Sequence, residues 1–352
     1  MLENFKNYFS YDIGVDLGTS STLIYSKGKG IVLTEPSVVA LNQKTGRVVA
    51  VGMEADRMIG RTPEHISAVC PLVNGVISNF EAAEEMLAYF LRKISSNVST
   101  ASRLTRPGVI ASVPSGITNV ERRAVRDVLL NAGAGKVYVI EEPMAAALGV
   151  KLPAYDPVGN MIIDVGGGIT DVAVISLGGI VKTKNINIAG NKLNQDIITY
   201  VRDEFKIMLG EKTAEEVKRV VGSVIKRKEN REVLVRGRDL ITGLPREAMI
   251  TDSDIREAII FDINNLIESV KEVLELTPPE IVADIMRRGI VLLGAGSKID
   301  GFNVLLEKEL KIPIYLADDP ETVVVRGAGI VSENLNRYQD IIFNNEDEIP
   351  PR

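Results

Sequence analysis

Two stretches of this 352-residue chain share one pattern: an apolar run, an aspartate, a glycine-rich turn and a second apolar run. Residues 13–25 read I-G-V-D-L-G-T-S-S-T-L-I-Y, and residues 161–175 read M-I-I-D-V-G-G-G-I-T-D-V-A-V-I. Consecutive backbone N–H groups in such a turn form an anion-binding concavity. Glycine lets the backbone approach a phosphate closely. The first turn offers Gly18, Thr19, Ser20 and Ser21; the second offers Gly166, Gly167 and Gly168, with the Thr170 hydroxyl as a further donor. Asp16 and Asp164 stand at the strand ends, where a carboxylate holds Mg²⁺ directly or through water. Two such turns facing each other would clamp a di- or triphosphate. A third turn, Gly294-Ala295-Gly296-Ser297, follows another apolar run and suits the approach of a base or ribose. A single D-x-G-T turn is a weak signal, since a plain hairpin explains it; the matched pair plus the third turn outweighs that reading. Competing nucleotide motifs, G-x-x-x-x-G-K-[ST] and a strand-linked G-x-G-x-x-G, are absent. Ala132-Gly133-Ala134-Gly135-Lys136 reads as a helix end.

The elements that must position these turns alternate short β-branched runs with amphipathic helices, so the class is α/β. The two echoing stretches lie about 148 residues apart, from Ile13 to Met161, which implies two similar lobes in tandem. Strands are expected at 13–15, 22–25, 31–33, 38–40, 48–51, 109–113, 137–140, 161–164, 172–176 and 290–293. Thr118-x-x-Glu121 is a capping box, Thr213-x-x-Glu216 is expected to open another helix, and Thr251-x-x-Asp254 is a weaker box ahead of a helix through Leu276. The tail after Tyr338 is polar and proline-ended and is expected to fray.

Composition closes off several classes. The net charge of −6 argues against a nucleic-acid partner. One cysteine, Cys70, excludes an intrachain disulfide and suits a small buried site in a reducing compartment. One histidine, His65, expected in a surface loop, cannot build a histidine metal site alone. No run of 18 apolar residues suggests a membrane span, and the first residues do not read as a secretory signal.

The loop motifs, together with I-E-E-P-M-A-A-A (140–147), G-K-G-I-V-L-T-E-P-S-V-V-A (28–40), V-P-S-G-I-T-N-V-E-R-R-A-V (113–125), V-R-G-R-D-L-I-T-G-L-P (235–245) and A-D-I-M-R-R-G-I-V-L (283–292), resemble the actin/Hsp70/sugar-kinase superfamily. Within it the chain is similar to the MreB family of bacterial actins from about residue 11 to 335. The resemblance implies an actin-like two-lobed fold of four subdomains, with a ribonuclease H-like core in each lobe and a central nucleotide cleft. The first lobe would span 1–148 with a small insert near 35–75. The second would span 149–338 with an insert near 185–250, followed by the tail 339–352. The implied cofactors are ATP or ADP with Mg²⁺. By matched position, Asp16, Gly18, Thr19 and Ser20 would contact phosphate and metal. Gly166 to Gly168 would form the second phosphate loop, with Asp164 beside Mg²⁺. Glu215, Glu216, Lys218 and Gly294 to Ser297 would approach the adenosine. Glu142 would position the attacking water; its bland alternative, which Glu141 fills equally well, is an acid at a helix N-terminus.

Isoleucine at position 169 departs from the family's usual pair of threonines, the first of which helps hold the lytic water. Slow hydrolysis is the expectation, with loss of one donor costing on the order of tenfold or more. Ala295 replaces a glycine, and its methyl would crowd the nucleotide slightly. The implied activity is assembly into double-protofilament homopolymers that organise cell shape at the cytoplasmic face of the inner membrane, beside morphogenetic membrane proteins. Two segments suit anionic lipid: Met1 to Phe9, with Leu2, Phe5 and Tyr8 at helical spacing, and Arg92 to Arg106, with Lys93, Arg103 and apolar Ile94, Val98 and Leu104. The run Lys226-Arg227-Lys228 and Arg231 reads as a solvated face. Alternatives are a filament protein without hydrolysis, a monomeric kinase of the same fold, and a chaperone-like ATPase for which no C-terminal peptide-binding domain remains.

Overall fold

A computed structural model describes residues 12–96 and 106–343. These residues form two compact units, one comprising 12–158, 174–183 and 321–343, the other 159–173 and 184–320.

The first unit is built on a six-stranded sheet. Its strands are β1 (Ile13–Leu17), β2 (Ser21–Ser26), β3 (Gly30–Pro36), β4 (Gly108–Val113) and β5 (Lys136–Glu141), with Ile342–Phe343 added beside β5. The order is β3-β2-β1-β4-β5: two antiparallel hairpins, then two parallel strands. The second sheet contains β6 (Asn160–Val165), β7 (Thr170–Ser176), β8 (Gly179–Ile186), β9 (Ile290–Leu293) and β10 (Ile314–Leu316) in the order β8-β7-β6-β9-β10, with β6, β9 and β10 parallel. Counting along each sheet, the two orders are the same. The echo in the sequence is therefore a repeat of topology, and each glycine turn joins the first two strands of its sheet.

Strand β6 is apolar on both faces, as a strand covered on both sides requires: its successive Ile162 and Ile163 are buried, while β1 buries Ile13 and Val15 on one face and Gly14 on the other. In the first unit, α1 (Asn119–Asn131) opens on the Thr118 capping box, α2 (Glu142–Gly149) follows β5, and α6 (Val323–Glu333) packs along α2. A side chain at Gly327 would strike the Ala145 carbonyl, so glycine is what lets these two helices touch. In the second unit, α3 (Gly190–Tyr200), α4 (Glu211–Val221) and α5 (Asp252–Glu275) pack together, and α5 starts on a complete Thr251–Asp254 box. A three-stranded sheet of Val39–Asn42, Val48–Val51 and Ile66–Val69 is inserted in the first unit; Ile207–Met208, Glu232–Asp239 and Pro245–Thr251 form another in the second.

The ten expected strands are all present. Four expectations are corrected. Thr213 does not cap a helix: α4 begins two residues earlier, with Gly210 as its cap and no side-chain bond. Cys70 is exposed, because the strand Ile66–Val69 ends before it. Ile94 is buried in the core of the first unit and cannot touch lipid, and Lys93 is paired with Glu35 at 2.5 Å. The tail does not fray at Tyr338, since Ile342 and Phe343 pair with Ile140 and Val139 and Arg122 lies 3.7 Å over the Phe343 ring. His65 sits exposed in a turn, as expected.

Candidate functional site

In the first unit, β1 delivers Asp16 to the sheet's end beside its register partner Ser112 on β4. Ser112 Oγ donates to Asp16 Oδ1 at 2.9 Å. Burial pushes this carboxyl up to about 6, against the opposing pull of that hydrogen bond. An ionised carboxylate there carries a desolvation cost that Ser112 offsets only in part and that a divalent cation would relieve. The turn after it is pinned by hydroxyls. Ser37 Oγ donates to the Gly18 carbonyl at 2.7 Å and lies 2.9 Å from the buried Thr22 hydroxyl. The Ser37 N–H donates to the Ser20 carbonyl at 3.1 Å, and the Gly75 N–H to Thr19 Oγ1 at 2.9 Å. Thr19 thereby keeps its own proton for donation. Ser20 is exposed and Ser21, the first residue of β2, is half-buried.

Glu142 is the first residue of α2 and is half-buried; Pro143 follows within the first turn, where its missing N–H costs nothing. Glu141 is engaged elsewhere, accepting from the Gly116 N–H at 3.2 Å.

In the second unit, Asp164 is the penultimate residue of β6 and pairs in register with Leu293 at the end of β9. The following turn closes through the Gly166 N–H to the Ile169 carbonyl at 3.0 Å. Its carbonyls also cap a helix. The N-terminus of α3 has no side-chain cap, and the N–H groups of Gly190 and Asn191 donate instead to the Gly166 and Gly167 carbonyls at 3.1 and 2.8 Å. Gly166, Gly167 and Gly168 are half-buried, Ile169 is buried, and the Thr170 hydroxyl donates to the Ile188 carbonyl at 2.6 Å.

Beside this turn lies a charged network. Lys218 Nζ, itself buried, donates to the Gly190 carbonyl at 2.9 Å and to Glu215 Oε2 at 2.7 Å, and Asn194 Nδ2 donates to the same Glu215 oxygen at 2.9 Å. Burial works to raise the Glu215 carboxyl, but Lys218 and Asn194 outweigh it and hold it below the ordinary value. Burial depresses the Lys218 ammonium more than Glu215 restores it. Glu216 is exposed and takes no part in this network.

The third turn begins at Gly294, with φ 83° and ψ 162°, a region essentially reserved for glycine. A side chain there would strike Asp164 Oδ1 and the Val165 carbonyl, so this turn packs directly on the end of β6. The Ser297 hydroxyl closes it on the Gly294 carbonyl at 2.6 Å; Gly296 is buried and Ala295 exposed. The second unit therefore brings Asp164, Gly166 to Gly168, Glu215, Lys218 and Gly294 to Ser297 into one connected neighbourhood. Ser37, Ser112, Gly75 and Asn194 support these loops, and no expectation from the sequence gave Ser37, Ser112 or Gly75 a part in them. Only Ser37 carried a local sign, its place in the T-E-P-S-V-V-A segment.

Met1 to Phe9, Val98, Arg103 and Leu104 lie outside the described residues. Among the described residues no helix is long and apolar enough to cross a membrane, and no group of three His, Cys, Asp or Glu side chains is placed to hold a metal. A Mg²⁺ ion would thus be held by one or two carboxylates with waters and phosphate oxygens, its usual manner.

A family model described as MreB/Mbl protein matches residues 10–340. The chain belongs to the MreB/Mbl family. Cell shape-determining protein Mbl of Bacillus cereus is 44% identical over 94% of this chain and 98% of its own length. Cell shape-determining protein MreB of Escherichia coli is 43% identical over 98% and 100%. Among solved structures, MreB5 of Spiroplasma citri bound to ADP superposes with a TM-score of 0.88 at 37% identity, covering 94% of this chain and 98% of that one. A MamK double helical filament superposes with a TM-score of 0.78 at 23% identity, over 92% of this chain and 99% of that one, and shares the fold. The MreB/Mbl chain described here therefore has the actin-like α/β fold.

Proposed function

We propose that this chain is a bacterial actin that binds ATP and ADP and polymerises into cytoskeletal filaments that determine cell shape. The match to the MreB/Mbl family across residues 10–340 carries this reading. Relatives of the same fold at 37% and 38% identity bind ADP and AMPPNP, and the glycine turns that suit phosphate are built here in full.

In this reading Gly18, Thr19, Ser20 and Ser21 and the turn Gly166 to Gly168 supply donors to the phosphates. Asp16 and Asp164 hold Mg²⁺, in part through water, and the ion would neutralise phosphate charge when bound. Lys218 and Glu215, with Glu216 nearby, and the Gly294–Ser297 turn take the adenosine. Glu142 orients the water for in-line attack, since phosphoryl transfer asks mainly for positioning. Hydrolysis is slow, because Ile169 supplies no donor. Two observations favour a second reading, in which hydrolysis is lost altogether: Ile169 is buried, and the Thr170 hydroxyl is committed to Ile188. The filaments are double protofilaments at the cytoplasmic face of the cell membrane. Anionic lipid contacts come from Met1 to Phe9 or the 92–106 segment, and morphogenetic membrane proteins are partners.

Pelleting of the purified full chain with ATP, ADP or no nucleotide, with phosphate assayed in the same tubes, tests this. Pelleting favoured by ATP with phosphate release is the expected result. Pelleting without phosphate selects the second reading. Protein that stays in the supernatant in every tube would overturn the filament.

A further inference from the structure

The basic run after α4 does more than face solvent. It borders an open cleft of about 500 Å³ in the second unit, lined by Lys226, Arg227, Lys228 and Arg231, with Asp300 across from them and Ile225 as the one apolar side chain. Glu229 adds a second carboxylate, so four cations stand against two anions. None of these residues belongs to the three glycine turns or to the Glu215–Lys218 network.

The cleft is held in shape from several sides. Arg256 donates to the Ile225 carbonyl at 3.1 Å, and the Arg231 N–H to Asp252 Oδ1 at 3.2 Å. The Val224 N–H donates to the Asp300 carbonyl at 3.0 Å, and Ser223 Oγ donates to Asp300 Oδ2 at 3.0 Å. Arg227 is only 14% exposed; it pairs with Asp300 at 2.7 Å, yet its Nε is buried without an acceptor. The other three cations are exposed and have no ion-pair partner among the described residues. Like charges gathered on a short, braced loop repel one another. With Ile225 as its one apolar residue, the wall offers no apolar socket for an acyl or aromatic ligand. Ammonium and guanidinium groups together are the donors that phosphate oxygens take.

We propose that this cleft binds a polyvalent phosphate, a ligand carrying two or more phosphoryl charges, outside the nucleotide site. The source of those groups is a soluble polyphosphate or an anionic lipid headgroup, and the two separate by experiment.

The full chain, saturated with ADP so that the glycine turns are filled, is titrated with sodium tripolyphosphate by calorimetry. Wild type should bind one equivalent saturably. The double variant Lys226→Glu with Lys228→Glu should bind at least about tenfold more weakly, the loss of a charge-assisted contact. Both lysines are exposed, so ADP affinity and melting temperature should not move. Absence of saturable binding by wild type, or equal affinity in the variant, overturns the site. Should ADP fail to bind, the same titration without it still compares the two proteins, so the failures of the two readings are distinguishable. Co-sedimentation with phosphatidylglycerol vesicles, against phosphatidylcholine, assigns the source. Binding lost in the variant and competed by tripolyphosphate points to a headgroup; vesicle behaviour alike in both proteins leaves soluble phosphate as the source.

Discussion

The two aspartate–glycine turns sit at the same place in two sheets of the same strand order, yet they are fastened by different chemistry. The first turn is tied mainly by side-chain hydroxyls, with one backbone bond from the Ser37 N–H to the Ser20 carbonyl. Ser37 reaches the Gly18 carbonyl and Thr22, and Thr19 accepts from Gly75. The second is tied by backbone, through its own closing bond and the first N–H groups of α3, and is backed by the close packing of Gly294. A repeated topology therefore fixes where a loop stands but not how it is held. Hydroxyl ties can be removed one atom at a time; backbone ties can be disturbed only by adding bulk or moving a helix.

The largest effect should come from adding bulk. Gly294→Ala forces a side chain into a conformation only glycine tolerates and against Asp164 and Val165. The expected cost is about 3 kcal/mol of stability, read from the urea midpoint at unchanged slope. At Gly18, which does not have a positive φ, the same substitution escapes the backbone strain but would still bring a methyl 2.7 Å from the Ser21 carbonyl, so its cost should be smaller than at Gly294 without vanishing. A Gly294→Ala chain as stable as wild type would mean that the third turn does not brace the second.

Removing a hydroxyl tests the other fastening. Ser37→Ala deletes the tie to Gly18 and leaves the fully buried Thr22 hydroxyl without its Ser37 partner. A loss of about 1–3 kcal/mol is expected, with weaker nucleotide binding, measured by denaturation and by titration with ADP. Unchanged ADP affinity would show that the first turn keeps its shape without Ser37.

A third substitution bears on the chemistry rather than the fastening. Ile169→Thr restores a donor to the second turn, and phosphate release from polymerised protein should rise at least about tenfold. If release stays the same, residue 169 does not govern hydrolysis.

What could be read in the sequence followed the range of the interaction. The Thr118 and Thr251 boxes were legible because each is completed within three residues. So were the glycine turns, whose geometry depends on their own residues. The contacts of Ser37 and Ser112 were not, because their partners Gly18 and Asp16 lie 19 and 96 residues away along the chain. The strand Gly179–Ile186 holds only Ile180 and Val181 before polar residues, so its partner rather than its composition defines it, whereas Glu232–Asp239 carries the run Val233-Leu234-Val235, a local sign of a strand. Cys70 was misplaced because burial was inferred from residue type, whereas its exposure follows from where the strand before it stops.

The smallest effect concerns the helix that holds the second turn. Lys192 on α3 pairs with Asp196 on the same helix and Asp262 on α5, and so helps fasten α3 to its neighbour. Burial raises Asp196 to about 6, Lys192 pulls it down, and the adjoining Asp262 pushes it up again. Burial also works to raise Asp262, but Lys192, Asp196 and Asn265 hold it below its ordinary value, so it stays ionised between pH 5 and 7. In that window Asp196 takes up a proton in the folded state before it would in the unfolded chain. The folded state then binds more protons, so stability rises as pH falls through about 6 and declines above it. Asp196→Asn should remove that slope, leaving a stability difference from wild type that changes between pH 7 and pH 5 in urea denaturation. The ties that Ser37 makes involve no titratable group, and Ser37→Ala should shift stability equally at both pH values. A parallel shift for Asp196→Asn would mean that this carboxylate does not change protonation where its burial predicts.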